Sequence, residues 1–80
     1  MWEFEIVLRS VQDVQEFVAL ATKRSFAVQI SDGRHRVNGK SFMEMFCLDF
    51  SAPITARLDC SQEEFDRFRQ DAARFDTVGK

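Results

Sequence analysis

Few side chains in this 80-residue chain can carry chemistry. His35 is its one histidine, Cys47 and Cys60 are its two cysteines, and a basic run of Arg34, His35, Arg36 and Lys40 ends against Ser41. A metal site or proton relay needs carboxylates or cysteines at ligand spacing around the histidine, and none is so spaced. His35 therefore reads as a partly buried histidine at the rim of a sheet. The cysteines stand alone in apolar stretches, outside any Cys-x-x-Cys pair, which is the setting of buried, reduced thiols not bonded to each other. No catalytic residue, metal ligand or cofactor is indicated. The basic run could receive an acidic partner or a phosphate. It reads better as an edge strand whose positive charge blocks sheet-to-sheet pairing.

Elements must position these residues, and the hydrophobic pattern supplies them. Trp2, Phe4, Ile6 and Leu8 alternate with Glu3, Glu5, Val7 and Arg9, as in a half-buried strand. From Val11 the period lengthens. Val11, Val14, Phe17, Val18 and Ala21 fall on one helical stripe that ends near Lys23 and Arg24. Phe26, Val28 and Ile30 alternate again. Asp32-Gly33 then predicts a two-residue hairpin turn that sets Ile30 opposite His35 and Val28 opposite Val37, with the third strand over Arg34–Val37. Ser41–Leu48 is short and mostly apolar. A helix is favoured there over a strand by Met, Glu and Leu and by a capping serine. After a turn at Pro53, Ile54, Ala56, Leu58 and Cys60 alternate as a fourth strand. Phe65, Phe68, Ala72 and Phe75 mark a last helix.

Three serines precede acidic residues at the capping-box spacing: Ser10 with Asp13, Ser41 with Glu44, and Ser61 with Glu64. Each lies at the start of a proposed helix. The order β-α-β-β-α-β-α follows. The expected fold is α+β, a two-layer open-faced sandwich with a four-stranded antiparallel sheet covered on one face by three helices. One domain spans residues 1–76, and residues 77–80 form a frayed tail. A chain this short buries only about 60% of its unfolded surface, which leaves little room for a deep active site. The net charge of −2 gives no broad attraction to nucleic acid or anionic membrane. Met1 runs straight into a strand-like segment and no apolar run approaches a membrane span, so the expected location is the cytoplasm.

That element order resembles the histidine-containing phosphocarrier family, the HPr proteins of the sugar phosphotransferase system. The local match is best over Val37-Asn38-Gly39-Lys40-Ser41-Phe42-Met43-Glu44-Met45-Phe46-Cys47-Leu48, which looks like the HPr segment where a Lys-Ser pair opens the short second helix. Ser61-Gln62-Glu63-Glu64 and the last helix look like the family's acidic turn and C-terminal helix. The departure lies near the N-terminus. Family members place a phosphorylated histidine, followed by Arg-Pro, at the end of a loop between the first strand and first helix. Here Leu8-Arg9-Ser10-Val11-Gln12-Asp13 crosses directly, without His or Pro.

The resemblance thus implies an HPr-like domain that is not an enzyme or phosphocarrier: a regulatory or protein-interaction module with a protein partner. Two alternatives stand beside it, an active phosphocarrier using His35 as an atypical acceptor and a structural or binding domain that shares only the fold. The resemblance also matches Ser41 to the serine that a regulatory kinase phosphorylates in many HPr proteins, and in catabolite-repression relatives that lack the histidine. A plain helix cap accounts for Ser41 as well. Lys40, Phe42, Met43 and Phe46 correspond to part of the family's partner-binding face. The residues themselves leave the cluster of Phe42, Met43, Met45 and Phe46 divided between core and exposed surface. Lys40 is expected to offset part of any charge added at Ser41.

Overall fold

Alternation at the start of the chain produces strand β1 (Trp2–Ile6), with Phe4 and Ile6 buried and Glu3 and Glu5 exposed, in a computed structural model that describes residues 1–77. Helix α1 (Val11–Thr22) follows, then strands β2 (Val28–Ser31) and β3 (Arg36–Asn38), the one-turn helix α2 (Phe42–Met45), strand β4 (Ile54–Leu58) and helix α3 (Gln62–Asp71). A 3₁₀ turn, Ala73–Phe75, comes last.

The strands form one antiparallel sheet in the order β1-β4-β2-β3. Its register lines up apolar partners on one face: Phe4 with Ala56, Ile6 with Ile54, Val28 with Leu58, and Ile30 with both Ala56 and Val37. The helices supply the matching face through Val14, Phe17, Val18 and Ala21 of α1, Met45 of α2, and Phe65 and Phe68 of α3. The opposite sheet face is polar, and there Glu3 pairs with Arg57 across the strands at 2.9 Å. This is the α+β open-faced sandwich that the hydrophobic pattern predicts. Val11, expected on the buried stripe of α1, is instead exposed, because it occupies the first helical position, beyond the edge of the core.

The caps account for the helix starts. Ser61 and Glu64 close a full reciprocal box. Ser10 and Ser41 each accept the N–H of the third helical residue, but the acidic partner reaches past the serine: Asp13 accepts from the N–H of Arg9, and Glu44 from that of Asn38.

The hairpin departs from its expected register. Asp32 N–H donates to the His35 carbonyl at 3.2 Å and Ile30 pairs with Val37, so Gly33-Arg34 is the centre of the turn and β3 begins at Arg36. The cause is the Asp32 side chain, whose Oδ1 accepts the N–H groups of Arg34 and His35 at 2.8 and 2.7 Å. That places Asp32 before the turn, and only Gly33 takes a positive φ, where the expected turn needs two. Gly39 is required by contact. A Cβ there would lie 2.8 Å from Val28 Cγ1, because the Gly39 N–H bonds the Val28 carbonyl at the same distance.

The chain end returns to the outer edge of β1. Val7 N–H bonds the Phe75 carbonyl and Thr77 N–H bonds the Glu5 carbonyl, so Thr77, expected in the tail, is tied to the sheet. The rest of that expected tail, 78–80, lies outside the described residues. Arg69 Nε holds the buried Asp76 carboxylate at 2.6 Å, and this hydrogen bond raises the guanidinium further above its ordinary pKa. Among the described residues no helix is long and apolar enough to cross a membrane.

Candidate functional site

The crossing from β1 to α1 is held at both ends. Leu8 is buried, and Ser10 adopts extended backbone with its hydroxyl accepting the Asp13 N–H at 3.1 Å. Asp13 then turns its carboxylate back to accept the Arg9 N–H at 2.9 Å, with Arg74 at 3.8 Å. A helix N-terminus attracts anions through its free N–H groups and the positive end of its dipole. Here the negative Asp13 carboxylate lies beside that end and accepts the N–H of Arg9, just before the helix.

Beside the crossing lies a cleft of about 470 Å³. Val7, Leu8, Val11 and Val14 form one wall, Phe46 and Phe50 the other, and Arg9, Ser10 and Ser51 its polar margin. The rim is apolar and open, with Val11 56% exposed and Phe46 48%; Met43, in α2, is 79% exposed. A one-turn helix can bury only one side, and α2 buries Met45. Phe42 is half-buried with its ring edge-on to Phe46, the centroids 4.8 Å apart. The cluster that the sequence leaves divided is thus split residue by residue, with Met43 and Phe46 outside.

Ser41 is the N-cap of α2. Its hydroxyl accepts the Glu44 N–H at 3.3 Å and its own N–H bonds the Asn38 carbonyl. Lys40 does not stand ready to balance a charge there. Its ammonium donates to the Arg24 carbonyl at 2.6 Å, tying the end of α1 to the segment before α2.

His35 and Cys47 fall elsewhere than expected. The imidazole is 59% exposed instead of partly buried, because the shifted turn carries it beyond the last β2–β3 pair, with Nδ1 3.4 Å from Asp32 Oδ2. Cys47 is exposed, since α2 ends at Met45 and the chain continues in tight turns that bury Leu48 instead. Cys60 is half-buried, with its thiol pKa raised by burial, and neither cysteine is bonded to the other.

The sequence marks Asp32 only as a turn residue, yet it organises this end of the molecule. Its carboxylate accepts a third backbone N–H, that of Asp49 at 2.9 Å, and so fastens the hairpin to the loop after α2. The bonds from His35, Asp49 and Arg34 hold its pKa far below the usual carboxylate range. Asp49 is in turn lowered by the Ser51 hydroxyl and N–H. Aspartate before Gly signals a turn, but nothing local marks a bond to a residue 17 positions away. Among the described residues no cluster of His, Cys, Asp and Glu could hold a metal ion.

No family model matches the sequence, and no curated protein matches it. Among solved structures the chain is similar to the crystal structure of HPr-C-His from Thermoanaerobacter tengcongensis, with a TM-score of 0.75 and 21% identity over 92% of this chain and 89% of that chain. The fold of this protein is HPr-like.

Proposed function

We propose that this chain is a non-catalytic regulatory or interaction domain on the HPr-like fold, docking a protein partner through the face where α1 begins and α2 lies and passing no phosphoryl group onward. The observation that supports it most is the closed first turn of α1. The resemblance puts a phosphorylated histidine there, but this chain has Ser10 as a cap and the Asp13 carboxylate bonded back to Arg9. A phosphoryl group at that turn would meet a like charge. Ser10 could not replace the histidine, because a serine phosphate is a stable ester and does not pass its group onward. The exposed Val11, Met43 and Phe46 fit a surface meant to be covered. Ser41 is the candidate point of regulation, since phosphate on it would add roughly −1.5 to −2 charge beside that surface.

A second reading has one observation in its favour: His35 is exposed and stands near the Asp32 carboxylate, as a histidine that accepts phosphate could. Incubation with a radiolabelled phosphohistidine donor of the phosphotransferase system separates the two. The proposal expects no acid-labile label on the chain, and label on His35 would replace it with the second reading.

A further inference from the structure

We infer that residues 46–52 form a flap that opens without unfolding of the sheet, and that the Asp32 carboxylate is the catch that holds it shut. The inference does not depend on the docking reading.

The flap begins where α2 ends and stops before β4. Its two flanks are fixed by the buried side chains of Met45 and Ile54, and between them only Leu48 is buried. Its own hydrogen bonds are local. The N–H groups of Phe46, Cys47 and Leu48 reach carbonyls three residues back, and the N–H and hydroxyl of Ser51 both reach Asp49 Oδ1. Among the described residues one hydrogen bond ties the segment to another element: the Asp49 N–H donates to Asp32 Oδ2 at 2.9 Å. A segment with few buried side chains and short-range, exposed hydrogen bonds opens at a lower free energy than the core.

The catch is built from the hairpin side. The Asp32 side chain is only 4% exposed, and a carboxylate so far from water needs donors. Its Oδ1 takes the N–H groups of Arg34 and His35, which belong to the hairpin's own turn and stay when the flap moves. The donor on Oδ2 leaves with the flap, so opening breaks a charge-assisted bond. Phe46 and Phe50 ride on the flap and face Leu8 and Val14 across the cleft. With the flap shut, Leu8 and Val14 are each 2% exposed. Opening therefore uncovers apolar side chains of the β1–α1 crossing and of α1 itself.

The test is amide hydrogen exchange of the full chain over a low-urea series, in the wild type and in Asp32→Asn. In the wild type the Cys47 and Leu48 amides should exchange through an opening that barely responds to urea, while those of Ile30 and Ala56, in the two central strands, follow global unfolding. Asn at position 32 keeps an oxygen for the turn but sets an amide N–H where the Asp49 N–H needs an acceptor. Cys47 and Leu48 bond to Glu44 and Met45, not to Asp32, so they respond only if the flap moves as a unit. Their exchange should speed up about tenfold more than that of Ile30 and Ala56. Equal acceleration at all four amides would show a general loss of stability and overturn the inference, as would no acceleration at Cys47 and Leu48. A wild type whose flap amides exchange only with the core at every urea concentration would overturn it too, and that series decides alone if Asp32→Asn does not fold.

Discussion

The aromatic residues of the two ends of this molecule meet different fates. Phe4, Phe17, Phe65, Phe68 and Phe75 are all buried, and they meet edge-on in a chain of rings from β1 through α3 to α1 and the final 3₁₀ turn. Of the three phenylalanines between residues 42 and 50, none is buried. The chemistry of the side chains is the same. What differs is the length of the element that carries them. Helix α3 has ten residues and can turn a full i, i+3 stripe inward, while α2 has four and buries only Met45. The ring cluster is therefore buried at one end, while at the other Met45 and Leu48 are buried and Met43 and Phe46 stay exposed.

The largest expected effect comes from the folded end. Phe68 is fully buried and meets the rings of Phe4, Phe17 and Phe26. Phe68→Ala should cost about 3–5 kcal/mol in urea unfolding; a loss under about 1 kcal/mol would mean that the ring cluster is not the core. Next is the glycine that permits close approach. Gly39→Ala forces a Cβ against Val28 and should cost roughly 1–3 kcal/mol, read from the same curves. Smaller still is the cap of α2. Ser41→Ala should cost about 1 kcal/mol, whereas Ser41→Asp, which keeps an acceptor at a helix start, should leave the melting temperature nearly unchanged and alter partner binding. Unfolding of the Asp variant would take Ser41 off the list of regulatory positions.

Asp32 gives the comparison a pH axis, because its carboxylate fastens the hairpin to the loop that bears Phe50. Its native pKa lies below its unfolded value, so the unfolded state binds more protons as the pH falls. The stability it contributes is complete above the ordinary carboxylate pKa near 4 and drains away as the pH drops toward the depressed native value. Asp32→Asn should be less stable at neutral pH and should show a shallower loss between about pH 4 and pH 2. Parallel acid limbs for the two proteins would show that this carboxylate does not link the loops.

The contrast between the ends also marks what could be read from the sequence. Alternation over Trp2–Arg9 and Ile54–Cys60, the stripe from Phe65 to Phe75 and the three capping serines are local signals, and each produced the expected element, although β1 stops at Ile6, β4 at Leu58 and α3 at Asp71, before the 3₁₀ turn that holds Phe75. The sequence pattern and the structure part where a side chain acts at a distance. The Asp32 carboxylate moved the hairpin register and so exposed His35. Cys47 is exposed because the apolar run Phe42–Leu48 has no period that says which members a single turn can cover. Asp13 accepts the N–H of Arg9 and not that of Ser10, a choice the Ser-x-x-Asp pattern does not encode.

The docking proposal is tested most directly by the double variant Met43→Ser/Phe46→Ser, studied by calorimetry and by whether it loses a protein that the wild-type chain recovers from its source cell. Met43 is exposed and Phe46 half-exposed, so stability should fall by only about 1–2 kcal/mol, mainly through the lost Phe42–Phe46 ring contact, while binding of the proposed partner should be lost. A melting temperature that falls as far as that of Phe68→Ala, or a partner held as firmly as by the wild type, would contradict the account.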